Sequence, residues 1–510
     1  MCELPVELYR AAQVRELDRM AIQERGIPGY TLMSRAGAAA FDRLRQRWPA
    51  VRRIGVVCGG GNNAGDGYVV ARLARQAGLE VRVLTLTDPA LLGGDAQTAW
   101  QDAIAAAVPV APFTATGLAD AELLVDAILG TGLEREISGL WRGVIIAMNG
   151  HPAEILALDI PSGLHADTGA ILGAAIHAAA TITFIGLKLG LFTGQGPACC
   201  GAVSFADLDV PPDIYPAIHP ACWRYVGADL PELLPPRSRS AHKGHFGHVL
   251  VVGGDSGMAG AARMAGEAAA RCGAGLVSIA TRAAHAGWQA AARPELMFHG
   301  IEDEEGLTPL LDRATVIAIG PGLGRGDWGR AMLRATLACD KPLVVDADGL
   351  NLLAIEPGYR DGWILTPHPG EAARLLKMTP DQVEADRFVA VEQVALRYGG
   401  VAVLKGAGSL IASTIDGQVA LGTTGNPGMA SGGMGDVLTG VIAGLVAQGL
   451  PLFVAAKAGV YLHGLAGDWA AQAGGERGLL ATDLLPWLRQ AVNGWLLDSR
   501  IRGNDGKPTS

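Results

Sequence analysis

The sequence predicts two consecutive α/β domains, each built around a parallel β-sheet. Its 510 residues exceed what one hydrophobic core usually covers. Short apolar runs alternate with helical or glycine-rich segments in two separate series, which is typical of βαβ units. A proline-rich stretch divides the two series. We therefore expect an N-terminal domain over residues 10–215, a linker over 216–239, a C-terminal domain over 240–495 and a polar tail over 498–510.

The N-terminal series predicts a Rossmann-like, doubly wound sheet. A charged, amphipathic segment over residues 11–48 comes first and predicts one or two helices that pack on the sheet. Apolar runs that alternate with helical patterns then indicate parallel strands joined by helices. The predicted strands are residues 54–57, 81–86, 123–125, 155–158 and 181–185.

The C-terminal series predicts a second α/β domain. Its predicted strands are residues 249–252, 276–280, 316–319, 343–345, 363–365 and 401–404. The apolar stretch over residues 437–462 is interrupted by Gly449, Leu450 and Pro451. This break predicts two buried helices rather than one membrane span.

Composition restricts the partners that this chain can have. The formal net charge of −9 disfavours nucleic acid and anionic membranes as partners, because both attract basic surfaces. Seven cysteines without a CxxC pair disfavour a zinc or disulfide framework. The N-terminus lacks the apolar core of a signal peptide, so we expect a cytoplasmic protein. We also expect small-molecule substrates and a homo-oligomer.

Polar residues follow three predicted strands of the N-terminal domain and suggest one site. They are, in chain order, Asn62, Asn63, Asp66, Asp126, Asp159 and Ser162. Ligands of open parallel sheets bind beyond the carboxyl ends of the strands, where these loops converge. Their oxygen atoms suit an alkali or alkaline-earth cation, and the neighbouring glycines expose backbone donors for phosphate. Alternatively, the two strand-end aspartates cap helices and the glycines form turns, but three coincident loops favour a site.

The motifs GGGNNAGDG, DAILGTGL and DIPSGL, in this order, resemble the NAD(P)HX epimerase domain of bacterial NAD(P)H-hydrate repair enzymes over about residues 10–215. The resemblance implies that Asp159 is the catalytic acid and base and that Asn63, Asp126 and Ser162 bind K⁺. Ala64 stands where the family usually has glycine. The implied substrate-binding residues, besides Asp159, are Asn62, Asn63, Ala64, Gly65, Asp66, Gly130, Thr131, Gly132, Leu133, Glu134, Arg135 and Glu136.

A second candidate site lies where a glycine-rich loop over residues 425–435 leads into Asp436 and an apolar helical pattern. Such an aspartate can stabilise the helix dipole, or it can take a proton while the loop binds a phosphoryl group. The loop resembles the GxGD element of ribokinase-like kinases. Glycine-rich or polar loops also follow the strands that end at residues 252, 319, 365 and 404.

Together these loops resemble an ADP- or ATP-dependent NAD(P)HX dehydratase of ribokinase-like fold over about residues 235–495. The resemblance implies Asp436 as the base and as a substrate contact, with Gly322 and His368 also contacting the hydrated cofactor. Mg²⁺ would accompany ADP as the cosubstrate. The implied nucleotide-binding residues are Lys405, Gly406, Ala407, Gly408, Ser409 and Gly435, with the rest of residues 426–435.

The expected protein is thus a bifunctional isomerase and lyase. One domain would interconvert (R)- and (S)-NAD(P)HX, and the other would dehydrate (S)-NAD(P)HX with ADP to give NAD(P)H, AMP and phosphate. The alternative is a kinase for a vitamin precursor fused to a non-catalytic scaffold domain. The spacing of His242, His245 and His248 also suggests a metal, but no nearby acidic residue or cysteine completes a ligand set, which favours loop residues.

Overall fold

The computed structural model describes residues 4–415 and 417–494. It divides into two compact units, one within residues 1–223 and one within residues 224–510. The predicted tail over residues 498–510 lies outside the described residues, and the predicted domain and linker bounds remain predictions. Within the described ranges, none of the helices has the length and apolarity needed to cross a bilayer.

The first unit contains a seven-stranded parallel sheet in the order β4-β3-β2-β5-β6-β7-β9. A short strand, β1, pairs in parallel with β8 and antiparallel with β10. The strands are β1 Glu7–Tyr9, β2 Arg53–Cys58, β3 Glu80–Thr85, β4 Val110–Pro112, β5 Leu123–Ala127, β6 Glu154–Leu158, β7 Ala180–Phe184, β8 Leu187–Lys188, β9 Ala202–Ala206 and β10 Cys222–Tyr225. The helices are α1 Ala11–Gln23, α2 Gly29–Arg47, α3 Asn62–Gln76, α4 Gly94–Ala105, α5 Gly139–Asn149 and α6 Gly196–Cys199. The predicted doubly wound sheet and the two leading helices are confirmed.

Both faces of this sheet are covered because successive strand residues point to opposite sides. In β2, Val56 packs into the apolar cluster that also contains residues of α1 to α4. Its neighbour Val57 packs into a second cluster with residues of α5. A strand buried on both faces is a continuous apolar run in the sequence, and such runs predicted these strands.

The second unit contains a mixed sheet in which β13-β12-β11-β14-β15-β16-β17 are parallel, and β18 and β19 add an antiparallel hairpin. Its strands are β11 His248–Val252, β12 Leu276–Thr281, β13 Met297–Gly300, β14 Val316–Ile319, β15 Leu343–Val345, β16 Trp363–Leu365, β17 Val401–Leu404, β18 Ser409–Ser413 and β19 Gln418–Gly422. Its helices are α7 Leu230–Leu233, α8 Ala259–Arg271, α9 Ala283–Ala292, α10 Glu304–Arg313, α11 Asp327–Leu337, α12 Ala347–Ile355, α13 Pro369–Leu376, α14 Pro380–Ala385, α15 Arg387–Tyr398, α16 Met434–Ala447, α17 Leu452–Gly474 and α18 Leu484–Ala491.

Two glycines bring α16 against α8 with almost no space between the backbones. A Cβ atom added to Gly440 would lie 2.0 Å from the carbonyl oxygen of Ala265. A Cβ atom added to Gly444 would lie 2.8 Å from the carbonyl oxygen of Ala269. The predicted break between α16 and α17 is also confirmed, since α16 ends at Ala447 and α17 begins at Leu452.

Candidate active sites

The first candidate site lies at the point where the strand order of the first unit reverses. The chain runs from β2 outward to β3 and β4 and then returns to place β5 on the other side of β2. The loops after β2 and β5 therefore border a crevice, as is typical of doubly wound folds. These loops pass so closely that a Cβ atom on Gly59 would lie 2.0 Å from the carbonyl oxygen of Ile128. A cavity of about 450 Å³ opens here.

The cavity brings together predicted residues from all three loops. Those that line it are Asn62, Asn63, Asp66, Gly130, Thr131, Gly132 and Asp159. Ala64 and Gly65 lie behind this surface, where a Cβ atom on Gly65 would be 2.5 Å from Met33 Sδ. Leu133 packs in the apolar cluster of α5, and residues 134–136 are exposed outside the cavity lining. The binding roles of these residues remain predictions.

Asp126, Ser162 and Asn63 form a compact buried cluster of oxygen atoms. Asp126 accepts hydrogen bonds from the Ser162 backbone N–H at 2.7 Å and from Ser162 Oγ at 2.6 Å. Asn63 Nδ2 donates to the Leu129 carbonyl oxygen at 3.0 Å, whereas its buried Oδ1 has no hydrogen-bond partner within the described part of the chain. Burial raises the pKa of Asp126 to about 6, although the bonds from Ser162 oppose this effect.

Asp159 follows β6 and is held in a left-handed backbone conformation with φ of 65°. Few residues other than glycine adopt this conformation, although aspartate tolerates it better than most. The Asp159 carboxylate forms an ion pair with Lys188, whose side chain is only 1% exposed. Lys188 Nζ also donates to Thr183 Oγ1 at 2.9 Å and to the Phe184 carbonyl oxygen at 3.0 Å. The ammonium therefore has three acceptors, and Asp159 has a fixed cationic partner.

Two further carboxyl groups line the same cavity. Asp66 lies on α3 and Asp18 on α1. Burial raises the pKa of Asp66 well above its ordinary value, and the charges of Asp159 and Asp18 raise it further against the opposing effect of Lys188. Burial also raises the pKa of Asp18. The cavity thus combines one buried cation with several carboxyl groups in different environments.

The second candidate site is centred on a buried ion pair that joins two strand ends. Asp346 directly follows β15 and is 1% exposed, and Lys405 directly follows β17. Lys405 Nζ lies 2.5 Å from Asp346 Oδ1, and Thr439 Oγ1 of α16 donates to Asp346 Oδ2 at 2.8 Å. Burial alone would raise the pKa of Asp346, but Lys405 holds it below its ordinary value.

Asp436 and Glu371 lie in the electrostatic field of this pair. Lys405 Nζ is 3.8 Å from Glu371 Oε2. Burial raises the pKa of Glu371 to about 6. Asp436 lies in the first turn of α16, as predicted, and burial together with the charges of Asp346 and Glu371 raises its pKa to about 7, against the effect of Lys405. A Cβ atom on Gly435 would lie 3.1 Å from Lys405 Nζ, so the glycine loop passes directly over the lysine.

The remaining predicted residues of the second unit lie in loops beyond strand ends. Gly322 follows β14 with a φ of 59°, and its carbonyl oxygen accepts a hydrogen bond from the Asp255 backbone N–H at 2.7 Å. His368 is half exposed and caps α13 through the Gly370 N–H at 3.0 Å. Of the nucleotide-binding residues predicted after β17, Gly406 and Ala407 are exposed, Gly408 and Ser409 are half-buried, and Ser409 donates to the Gly406 carbonyl oxygen at 3.0 Å.

The three histidines do not share one partner, and His248 begins strand β11 rather than lying in a loop as predicted. The rings of His242 and His245 stack with centroids 3.7 Å apart, whereas His248 Nε2 lies 2.9 Å from Ser278 Oγ. The contacts of His248 therefore lie within the sheet, since Ser278 belongs to the neighbouring strand β12.

Sequence reasoning missed several residues that the fold brings to the two sites. Asp346 follows an apolar run directly, so the rule that found Asp159 would also have found it. Lys188 and Asp18 give no such signal, because Lys188 ends the two-residue strand β8 and Asp18 lies within α1. Asp468 of α17 was also missed, although it accepts hydrogen bonds from the Gly425 N–H and from Asn426 Nδ2, both at 3.0 Å.

The geometry defines an enzyme with two sites, each formed at the carboxyl ends of the strands of a separate α/β sheet. Residues 29–190 match the family model described as YjeF-related protein N-terminus, and residues 249–489 match that described as NAD(P)H-hydrate dehydratase. The chain belongs to the family of bifunctional NAD(P)H-hydrate repair enzymes, and the predicted isomerase and lyase class is confirmed.

Relatives with this name match almost the whole chain. A protein of Coxiella burnetii named bifunctional NAD(P)H-hydrate repair enzyme Nnr is 49% identical over 486 residues, which cover 95% of this chain and 99% of the relative. One of the same name from Escherichia coli K12 is 45% identical over 493 residues, which cover 96% and 95% respectively. A solved ribokinase-like superfamily protein from Enterococcus faecalis V583 is 32% identical and covers 53% of this chain and 96% of its own, with a TM-score of 0.50. The predicted ribokinase-like fold is thereby confirmed.

Proposed function

We propose that the first unit interconverts the (R) and (S) epimers of hydrated NADH and NADPH. We further propose that the second unit dehydrates the (S) epimer to NAD(P)H with ADP and releases AMP and phosphate. Membership of the repair family supports both halves of this proposal. The observation that carries the dehydration is the position of Asp436, at the start of a helix, beside Lys405 and with a pKa near neutrality.

Dehydration needs a good leaving group, because hydroxide leaves a carbon atom poorly. In the proposed reaction the Asp436 carboxylate takes the proton of the ring hydroxyl, whose oxygen attacks the terminal phosphorus of ADP, and the bond from that phosphorus to the AMP oxygen breaks. The ring nitrogen then supplies electrons as the carbon–oxygen bond to phosphate breaks. Loss of a proton from the adjacent ring carbon forms the double bond of the dihydropyridine. A base whose pKa is about 7 suits proton transfer near neutral pH.

The residues around Asp436 suit phosphoryl transfer. The backbone N–H groups at the start of α16 point toward an incoming anion and add the positive end of the helix dipole. Lys405 contributes a buried positive charge; burial alone would lower its pKa, but the charges of Asp346 and Glu371 raise it. Because Asp346 already bonds Lys405 and Thr439, it fixes the position of the ammonium rather than contacting the nucleotide.

The carboxylates of this site have the donor chemistry that Mg²⁺ requires. Magnesium is bound through oxygen atoms, commonly one or two carboxylates together with the phosphates of the substrate. Asp346 is occupied by Lys405 and Thr439, and Asp436 is the proposed base, which leaves Glu371, whose Oε2 accepts a hydrogen bond from the His368 N–H at 2.8 Å. We propose that Glu371 would hold Mg²⁺ together with the phosphates of ADP, where the metal would neutralise negative charge on the transferring phosphoryl group.

The epimerase site fits K⁺ equally well in its donor chemistry. Asn63 Oδ1 is buried and has no partner within the described residues, so it is an oxygen ligand without a hydrogen bond to lose. Hydrogen bonds link the neighbouring oxygen atoms, because Ser162 Oγ donates to Asp126 and the Leu129 carbonyl oxygen accepts from both Ser162 Oγ and Asn63 Nδ2. We propose that these oxygen atoms hold K⁺ and that the ion supplies positive charge near the substrate. Asp159 would accept and return the proton that moves during the reaction at the carbinolamine centre.

The test follows the return of NADH absorbance from a mixture of hydrated NADH epimers supplied with ADP and Mg²⁺. The wild-type chain should restore all of the absorbance. Asp436→Ala should restore none, and Asp159→Ala should restore the (S) fraction at the normal rate but lose the acceleration of the (R) fraction. Asp312→Ala, at an exposed carboxylate of α10, is the control and should behave as wild type. Phosphorylation of an unrelated alcohol without recovery of NADH would refute the proposal.

The cytoplasmic location and the homo-oligomeric state remain predictions of the same proposal. Size measurement of the purified chain by light scattering would test the second of them.

A further inference from the structure

Two carboxyl groups that line the same cavity differ in their partners. Asp159 has a buried ammonium, a hydroxyl and a backbone N–H directed at one of its oxygen atoms. Asp66 lines the same cavity from α3. Among the residues that the structure describes, none donates a hydrogen bond to the Asp66 side chain or forms an ion pair with it. Pairs of titratable groups in contrasting environments are the usual basis of acid and base assignments.

Three donors converge on one oxygen atom of Asp159. Lys188 directs its ammonium at Asp159 Oδ1, and Thr183 Oγ1 lies 3.3 Å from the same atom. The Phe184 N–H adds a third donor at 3.4 Å. These contacts fix the position of the Asp159 side chain at the cavity wall, where its other oxygen can accept a proton from the substrate.

The surroundings of Asp66 favour its protonated form. The charged groups that face this cavity are Arg15 and Asp18 of α1, Asp95 of α4, Asp159 after β6 and Lys188 of β8. Burial raises the pKa of Asp66, and the charges of Asp159 and Asp18 raise it further, although the charge of Lys188 opposes them. These surroundings favour the protonated carboxyl group, which can donate its proton into the cavity.

We propose that Asp66 is a second catalytic group of the epimerase site, which donates a proton to the substrate while Asp159 accepts one. This inference rests on the proposed epimerase function and adds to it a division of the proton transfers between two residues. A single carboxylate would have to perform both transfers in succession. Two groups in one cavity can act on the two faces of the ring.

The atoms balance without any further reagent. Asp66 transfers its proton to the ring hydroxyl, the carbon–oxygen bond breaks, and water leaves as the ring nitrogen supplies the electrons of a C=N bond. A water molecule then adds to the opposite face of that carbon and forms the new carbon–oxygen bond. Its surplus proton goes to the Asp159 carboxylate. Before the next turnover in the same direction, Asp159 releases its proton to solvent and Asp66 takes one up, which restores both groups. The reverse epimerisation uses the same groups with their roles exchanged.

The test measures epimerisation directly, starting from the purified (R) epimer without ADP, and separates the epimers by chromatography. Replacement of a general acid typically slows a reaction by about 100-fold or more, so Asp66→Asn should show a loss of this size in kcat. The wild-type kcat should fall at alkaline pH as Asp66 loses its proton, and this alkaline limb should disappear in Asp66→Asn. Asp66→Glu keeps a carboxyl group and should retain the limb. Asp42→Asn, at an exposed carboxylate of α2, is the control.

Three results would overturn the inference. They are a wild-type kcat that does not fall at alkaline pH, an Asp66→Asn variant that epimerises at the wild-type rate, and a slower variant that keeps the alkaline limb. Urea unfolding of each variant, followed by circular dichroism, shows whether the chain that carries the substitution is folded. If the wild-type chain does not accelerate epimerisation over buffer, the proposed epimerase function fails, and the role of Asp66 fails with it.

The water exchange gives a test that needs no variant. Epimerisation in water enriched in ¹⁸O should place one labelled oxygen in each molecule that changes epimer, after subtraction of the rate in buffer alone. Retention of the original oxygen in the enzymatic product would contradict the proposed bond breaking.

Discussion

Asp436 should destabilise the folded protein at neutral and alkaline pH, so that Asp436→Asn, while inactive as a dehydratase, unfolds less readily than wild type. The pKa of this carboxyl group is raised from 3.8 to about 7 by burial and by the charges of Asp346 and Glu371. The native chain therefore keeps a proton that the unfolded chain releases between about pH 4 and pH 7. The stability from this proton is complete below the unfolded pKa and is lost as the pH rises through 7.

The size of the expected change in the free energy of unfolding follows from the shift in the pKa of Asp436. At about 1.4 kcal/mol per pH unit, the raised pKa corresponds to at most about 4 kcal/mol of the free energy of unfolding. An asparagine cannot ionise, so the gain of the variant over wild type should grow by up to this amount between about pH 4 and pH 8. This amount already includes relief from the repulsion by Asp346 and Glu371, because their charges are among the causes of the raised pKa.

Urea unfolding of the full-length chain at several pH values measures this difference. Asp312→Asn is the matched control, and its stability should follow wild type at every pH. The reasoning is refuted if Asp436→Asn is less stable than wild type near pH 8. It is also refuted if the difference between the two proteins does not change with pH.

The remaining predictions concern the first unit. Gly59→Ala should reduce the free energy of unfolding by about 1–3 kcal/mol, because its Cβ has no room, whereas Gly61→Ala should be neutral, because a Cβ there meets nothing within 4 Å. Lys188→Met leaves the Asp159 carboxylate without its cation and should cost about 3–5 kcal/mol, which urea unfolding would detect. Potassium should raise the melting temperature more than sodium does, and Asn63→Ala should abolish that difference in differential scanning calorimetry.

The rules that found most of the fold and of the candidate sites depend on local patterns. Buried parallel strands are continuous apolar runs, so β2, β5 and β6 were visible in the sequence. The strands β1, β4, β8, β9, β10, β13, β18 and β19 were missed, because polar residues, small residues or proline interrupt their apolar runs. Residue Ile185 was assigned to a strand, but it leaves β7 with a φ of 63°. After that turn the chain places Lys188 beside Asp159, and no local sequence pattern predicts this contact.

The site residues likewise fall into those that a local pattern predicts and those that only the folded chain brings together. Asp126, Asp159 and Asp436 directly end a strand or begin a helix, so chain position alone suggested them. Lys188 and Asp18 interact electrostatically with Asp159, which is distant in sequence, and only the folded chain brings them near it. Residues 134–136 follow a site loop in sequence but lie exposed outside the cavity, and their binding role remains a prediction.

Each site takes all of its described residues from one unit, although both units belong to one polypeptide. Translation therefore makes the two active sites in a fixed ratio of one to one, whatever the expression level. If the proposed reactions are correct, a cell cannot raise its capacity to dehydrate one epimer without raising equally its capacity to produce it. Flux through the repair would then depend on the relative turnover numbers of the two sites, which only substitutions within one unit can alter independently.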